Sequence, residues 1–398
     1  MTTTDNVFDT GGVENSIMRI ARGLVGRGIQ VDILMLRSSE LTEFQVSGKN
    51  GITRLPSMVD GLALYRLTPW TGSEQPEQRW AEIHYALLEL ARERRYDLVQ
   101  AFYASVAGFP TVYAARLLQI PSIVSIRGSD LIADVFHPQW FSPLVWALQN
   151  AAQFTAVSRE GLERARILCG NPEKGRVILN SIRPQDFEDG VQELGLPHPI
   201  IGSLAVFRAK KGIDVLLAAF HMLLERIPGA HLLLAGYVIP GEQRHFAELV
   251  ESYGLAGKLT LTGRFPKSKS LRYLRAMDVF AFTSLHDGCP NAVLEAMLAG
   301  APIVAARSGA LPDMIEDGKE GLLVQPGSAK ELCQAIEKML RSEETKRGYG
   351  KRARERVLQQ FAPEREVEEY VEVYHLDGAH PIPDGTREGR HYMSDGDV

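Results

Sequence analysis

Two carboxylates, Asp287 and Glu295, stand with seven residues between them on either side of a turn, Gly288-Cys289-Pro290-Asn291. The run Val279 to Thr283 before them is a short apolar stretch of buried-strand type. Ser284 to Cys289 reads as a polar loop punctuated by Asp-Gly, and Pro290 suits the first position of a helix. Asn291 to Ala299 continues helically until Gly300 and Pro302 stop it. A helix N-terminus offers unsatisfied amides to an anion, while carboxylates beside it accept from hydroxyls. Phosphate next to polyol is the chemistry of a sugar nucleotide.

Such a turn needs elements to hold it, and the chain supplies an alternating series. Asp9-Thr10-Gly11-Gly12 is a turn signal, followed by Val13, Ile17, Ile20, Ala21, Leu24 and Val25 at helical spacing. Ile29 to Leu36 reads as a buried strand. A strand is expected before the glycine turn, and Met1 to Val7 is the stretch available. That strand is either a stub or clipped at the start of the sequence. A turn-rich segment, Ser47 to Gly61, leads to a strand at Leu62 to Leu67. Helices at Glu77 to Arg95, Val106 to Leu118 and Phe141 to Ala151 alternate with strands at Tyr96 to Phe102, Pro121 to Ile126 and Phe154 to Val157. Ser158 caps a helix reaching Leu168, and Arg176 to Leu179 is a last strand before Asn180-Ser181.

Gln185 to Pro199, with acids, two glycines and two prolines, reads as linker. Strands at Ile200 to Val206, His231 to Ala235 and Lys258 to Thr262 then alternate with helices at Gly212 to Arg226, Gly241 to Tyr253 and Ser268 to Arg275. Beyond the central stretch come a short strand at Leu322-Leu323 and helices at Ser328 to Leu340, Glu343 to Gln359 and Pro363 to His375. Two βα series predict a cleft between carboxyl strand ends, where open α/β sheets bind ligands.

The 398 residues exceed one ordinary core, and 45% hydrophobic with 23% charged is the composition of a soluble globular protein. A net charge of -5 makes no case for nucleic acid as the main partner. Cys169, Cys289 and Cys333 are far apart, without CxxC or a pairing histidine, and fit free thiols rather than a zinc site or a disulfide framework. No signal-like segment or spanning apolar run is present in the sequence, so a cytoplasmic protein is expected, with peripheral attachment at the inner face of a membrane left open. Walker, Gly-x-Gly-x-x-Gly, His-Glu-x-x-His and Gly-x-Ser-x-Gly signatures are absent, which argues against kinase, dehydrogenase, metalloprotease and α/β-hydrolase chemistry.

Gly288-Cys289-Pro290-Asn291-x-x-Leu294-Glu295-Ala296-Met297-x-x-Gly300-x-Pro302-Ile303-Val304-Ala305 resembles the Glu-x7-Glu motif of retaining, nucleotide-sugar-dependent glycosyltransferases of family 4, group 1 type. Gly11-Gly12-Val13-Glu14, Ala156-Val157-Ser158, Asn180-Ser181-Ile182 and Arg208-x-x-Lys211-Gly212 follow in that family's order, and the likeness runs to about Tyr374. The resemblance implies a GT-B fold: two Rossmann-like domains facing each other across a deep cleft, with a C-terminal helix crossing back to the first. The implied divisions are an acceptor-side domain at 1–190, a linker at 191–199, a nucleotide-sugar domain at 200–360, a crossover helix at 361–376 and a disordered tail at 377–398.

It also implies the site. Arg208 and Lys211 would neutralise the diphosphate in place of a metal, Glu295 would accept from the ribose hydroxyls, and Asp287 would meet hydroxyls of the donor sugar. Gly288, Cys289, Pro290, Asn291 and Ala292 would surround sugar and phosphate with amides. Gly263, Arg264 and Phe265 would hold the base edge, and Gly11 and Gly12 would close on the diphosphate. Asp287, Glu295, Arg208 and Lys211 are the catalytic candidates. The implied reaction moves a sugar from a nucleoside diphosphate sugar, UDP-sugar by default, to a saccharide or lipid-linked glycan in polysaccharide or cell-envelope synthesis, without cofactor or metal. The sequence sets no oligomeric state.

Three positions depart from the family pattern. Asp287 is shorter than the usual glutamate, Arg127-Gly128-Ser129-Asp130 replaces the frequent His-Gly, and Arg208 lies further from its strand end than the family's arginine. Arg127 cannot serve as a base; it is left to contact the donor or an anionic acceptor, or to pair with Asp130. Plainer readings stand beside these. Asp287 and Glu295 could be surface acids, Arg208 and Lys211 helix-entry cations, Cys289 a small buried residue, and Arg92 to Arg95 a solvated helix end or a contact for anionic lipid. A sugar-nucleotide-binding protein without catalysis, or an epimerase or phosphorylase on this architecture, is the alternative.

Overall fold

The computed structural model describes residues 1–3, 12–36, 51–68 and 75–375. Gly11 and the expected tail at 377–398 lie outside the described residues. Strands β1 (Thr2–Thr3), β2 (Val31–Leu36), β3 (Ile52–Leu55), β4 (Leu62–Leu67), β5 (Val99–Phe102), β6 (Ser122–Ile126), β7 (Gln153–Ala156) and β8 (Arg176–Val177) form one sheet in the order β3-β4-β2-β1-β5-β6-β7-β8. Strands β9 (Ile200–Phe207), β10 (His231–Val238), β11 (Leu259–Leu261), β12 (Val279–Phe282), β13 (Ile303–Ala306) and β14 (Gly321–Val324) form a second, β11-β10-β9-β12-β13-β14. Their central strands are buried on both faces by helices, which is why β12 reads Val-Phe-Ala-Phe without alternation. Both sheets are doubly wound, with order reversing between β1 and β5 in the first and between β9 and β12 in the second.

The strand expected before the first helix is a two-residue stub, Thr2–Thr3, paired in parallel with β2 and β5. The turn-rich stretch Ser47 to Gly61 needs correction: Ile52–Leu55 is a strand, antiparallel to β4, in register Ile52 with Leu67. The helix expected from Val106 is preceded by a π-helical turn, Ala104–Gly108, entered through Tyr103 at φ 73°. Pro290 is extended rather than helical, so the helix Asn291–Ala299 begins one residue later than a proline at its first position would place it.

The segment after β8 is held along the second sheet's helices. Glu188 and Gln192 donate backbone N–H groups to the carbonyls of Ser268 and Arg272, and Phe187, Leu194 and Leu196 pack on the second core. At the other end, the helix Pro363–Tyr374 returns to the first sheet. Val367, Tyr370, Val373 and Tyr374 share one core cluster with Ile17, Ile20, Leu24 and Ile33. Arg19 pairs with Glu366 at 2.7 Å, Ser181 donates to the same carboxylate, and Tyr374 donates to Gln100. The outgoing and returning segments meet where Ile182 donates to the carbonyl of Phe361 at 3.0 Å.

Candidate active site

The loops after β9 and β12 flank the second switch point, where a ligand of an open α/β sheet is expected. After β9 the chain makes a tight turn, Ala209–Lys211, closed by Gly212 at φ 67°. A Cβ on Gly212 would lie 2.1 Å from the carbonyl oxygen of Thr283, so this close approach of the two loops requires glycine. Thr283 and Ser284 stitch the loops further, their hydroxyls donating to the carbonyls of Lys211 and Lys210. This packing brings Lys211 Nζ onto the Asp287 carboxylate as an ion pair. Arg208 and Lys210, on the same turn, have no ion-pair partner among the described residues, and Arg208 Nε is buried without a hydrogen-bond acceptor. Burial and then the neighbouring Arg208 and Lys211 charges hold the Lys210 ammonium below its usual pKa, with Asp287 and Asp134 opposing them. The influence of Asp134 on Lys210 was not legible, since the two come from opposite sheets.

Asp287 and Gly288 are backed by Gly309, where a Cβ would lie 1.7 Å from the Asp287 carbonyl oxygen. Gly288 in turn touches the first domain: a Cβ there would lie 2.3 Å from the carbonyl oxygen of Arg127. Cys289 is buried, and desolvation pushes its thiol up to about 12, so the plain reading of a packed residue holds and a thiolate nucleophile does not. Asn291 donates to the carbonyl of Gly12 at 3.3 Å, which brings the N-termini of the helices Gly12–Val25 and Asn291–Ala299 together across the cleft. Ala292 follows in the first turn of the latter.

Glu295, one turn in, is 4% exposed. Desolvation raises its carboxyl pKa above the ordinary value, and Lys267 and Ser270 only partly offset this. It lines a small, mostly polar pocket with Asn291, Lys267, Arg183, Asp186 and Arg19. Gly263, Arg264 and Phe265 lead into Lys267. Gly263 has open space around it at φ 75°, Arg264 lies over the Tyr237 ring at 4.0 Å, and Phe265 packs on Tyr273 at 4.5 Å.

The alternative in which the Arg127 side chain pairs with Asp130 is not realised. The Asp130 carboxylate is fully buried and accepts from the backbone N–H groups of Ala104, Arg127 and Gly128 at 3.0, 3.2 and 2.8 Å. It thereby holds the turn after β6 against the strained entry at Tyr103, while desolvation raises its pKa against those three donors. The Arg127 guanidinium turns instead to Asn180, donating to Oδ1 at 2.8 Å. Among the described residues no group of three or more His, Cys, Asp or Glu side chains could hold a metal ion, and no helix is long and apolar enough to cross a membrane.

Comparison with known proteins gives this geometry a family. The family model described as Glycosyltransferase Family 4 matches residues 10–186, and that described as Glycosyl transferases group 1 matches residues 185–356. The chain is a family 4, group 1 glycosyltransferase. It is similar to a 2-deoxystreptamine glucosyltransferase of Streptomyces kanamyceticus, 25% identical over 81% of this chain and 88% of the relative. It is also similar to a D-inositol 3-phosphate glycosyltransferase of Corynebacterium diphtheriae, 26% identical over 86% and 84%. The GT-B fold of this glycosyltransferase is shared with sucrose-phosphate synthase of Thermosynechococcus elongatus, at a TM-score of 0.77, 20% identity and coverage of 94% and 98%. HepE of Anabaena in complex with UDP matches at a TM-score of 0.71 and 20% identity, covering 94% and 98%.

Proposed function

We propose that this glycosyltransferase moves a sugar from a UDP-sugar to a saccharide or lipid-linked glycan, with retained anomeric configuration and without a metal ion. The observation that carries the reading is the turn Arg208–Lys211. It sets three cations at the second switch point, of which, among the described residues, Lys211 alone is paired with a carboxylate, and Asp287 in that pair stands just before the helix Asn291–Ala299. An entering diphosphate would take Lys211 from Asp287, freeing that carboxylate for hydroxyls of the sugar. Arg208, Lys211 and the first amides of the helix would meet negative charge as it builds on the leaving phosphate, the interaction that matters most in the transition state. Glu295, buried beside Lys267, suits two neighbouring ribose hydroxyls, and Gly263 to Phe265 suit the base edge. The leaving phosphate would help to deprotonate the acceptor, since Arg127 cannot act as a base.

UDP is favoured because HepE, of the same fold, has been solved with UDP and with UDP-glucose. A lipid-linked acceptor, met at the inner face of a cell membrane, is supported by one face of the first domain. The surface helix Pro138–Asn150 carries no charged residue, and Tyr85, Tyr113, Phe136 and Phe141 are exposed around its Trp140 and Trp146. Aromatic residues with a polar edge favour the lipid-water boundary.

Lys211→Ala is expected to weaken UDP binding far more than uridine binding, measured by calorimetry; equal losses would remove Lys211 from the phosphate site. Turnover of the sugar nucleotide should survive excess EDTA, and strict dependence on a divalent ion would overturn the metal-free reading. Donor binding without turnover on any acceptor would favour the binding-protein alternative.

A further inference from the structure

Asn180 follows β8 in the first domain, yet half of its side chain serves the second. It is 5% exposed. Its Oδ1 accepts from Arg127 Nη2 at 2.8 Å, and its Nδ2 donates to the Cys289 carbonyl at 2.8 Å and to Asn291 Oδ1 at 3.2 Å. Chemistry fixes this orientation, because an arginine only donates and a backbone carbonyl only accepts. Arg127 is itself 7% exposed, has no carboxylate within ion-pair range among the described residues, and leaves Nε without an acceptor. A buried cation on the amide oxygen polarises the amide and strengthens the N–H that faces Cys289. On the other side of the same turn, the backbone of Arg127 and Gly128 lies against Gly288, whose Cα is 3.0 Å from a Cβ built on Gly128. First-domain groups therefore grip residues 288–291 from two sides.

We propose that Asn180 is a positioning residue that couples closure of the first domain to assembly of the helix N-terminus at residues 288–291. The inference rests on reading that N-terminus as the donor site. With the domains apart, Asn180 loses both partners in the second domain, the Cys289 carbonyl returns to water, and the Gly288-Cys289 turn loses its backing. The amides and Asp287 then reach their working positions only when the first domain is in place. Donor binding to the second domain does not require this contact; turnover does. The arrangement restrains hydrolysis of the donor in the open enzyme, because the reacting constellation is incomplete there.

The test is Asn180→Asp in the full-length protein. The new carboxylate still accepts from Arg127, now as an ion pair, but sets an oxygen against the Cys289 carbonyl, where only a donor fits. The affinity for UDP by calorimetry is expected to stay within about threefold, while kcat falls by about tenfold to a hundredfold, the scale of one buried hydrogen bond. The kcat is read with whichever of the UDP-, GDP- and ADP-sugars the parent turns over fastest. Small-angle scattering with UDP should show a larger radius of gyration than the parent. Asn180→Ala, which removes both halves of the contact, is the second variant should the first not fold, and the same split between kcat and affinity is expected. Parental kcat, or equal losses of kcat and UDP affinity at an unchanged radius of gyration, would overturn the proposal. Failure of the parent to bind UDP would instead strike the donor-site reading, and the scattering difference between parent and variant, measured without ligand, would still decide the coupling.

Discussion

Gly23 lies inside the helix Gly12–Val25, where glycine costs about 1 kcal/mol relative to alanine, so helix propensity alone predicts that Gly23→Ala stabilises the protein. The packing predicts the reverse. A Cβ at position 23 would lie 2.2 Å from Cγ2 of Val367 and 3.4 Å from Cγ1, and Val367 is buried in the core that Ile20 and Leu24 share. Carbon atoms pack best at about 3.5–4.0 Å, so one helix must give by about an ångström. Overpacking of this kind costs about 1–3 kcal/mol, which after the gain in propensity leaves a net loss of up to about 2 kcal/mol. Val367→Ala clears the space at a cost of about 0.8 kcal/mol for each buried methyl group, before any cavity term. In that background Gly23→Ala should stabilise by about 1 kcal/mol. Urea unfolding of the parent, both single variants and the double variant closes the cycle, with a coupling of about 2 kcal/mol expected. A Gly23→Ala variant more stable than its parent, with additive singles, would refute docking of the C-terminal helix on this glycine.

Glu295 titrates above its ordinary value of 4.5 when folded, so the folded chain binds this proton more tightly and stability falls as pH rises through the window above 4.5. Glu295→Gln should therefore raise the unfolding midpoint at pH 7, by a margin that shrinks towards pH 4.5, while UDP binding weakens; an unchanged midpoint at pH 7 would count against a costly buried carboxylate. For Asp278 the sign is opposite. Burial pushes its pKa up, but the Ile200 amide, His198 and Lys346 together hold it below 3.8. Its stabilisation is present above that ordinary value and lost as pH falls through the depressed one, so Asp278→Asn should flatten the acid limb of a midpoint-against-pH curve. Glu366→Ala strands Arg19, whose side chain is 10% exposed, and should cost about 3–5 kcal/mol in urea unfolding, with Glu366→Gln recovering part of it.

Much of this architecture was legible because period and punctuation agree locally. Ser158 as a cap, Gly300 as a stop and the uniformly apolar β12 each depend on neighbours in sequence, and the structure places them as read. β3 was missed because Ile52-Thr53-Arg54-Leu55 is an edge strand whose one-sided packing leaves no clear alternation. Contacts made between distant segments were not legible. The sequence leaves Arg127 open to the donor, an anionic acceptor or Asp130; backbone amides take that carboxylate, and the guanidinium meets Asn180, 53 residues away. Lys210 beside Lys211 carried no signal that Asp134 of the other sheet acts on its charge. The first domain is less legible for the same reason, since the groups it brings to residues 288–291 come from the turn after β6 and from Asn180 after β8 rather than from one motif.

The returning helix has a consequence for how the chain is made. Val367, Tyr370, Val373 and Tyr374 complete the core around Ile17, Ile20 and Leu24, so the first domain lacks one wall until the helix Pro363–Tyr374 has left the ribosome. The second sheet, whose strands lie between residues 200 and 324, is finished earlier. Translation thus delivers the domains in one order and folding completes them in the other. A nascent chain halted before the helix Pro363–Tyr374 would expose the apolar stripe of the first helix, the surface on which a chaperone would be expected to dwell.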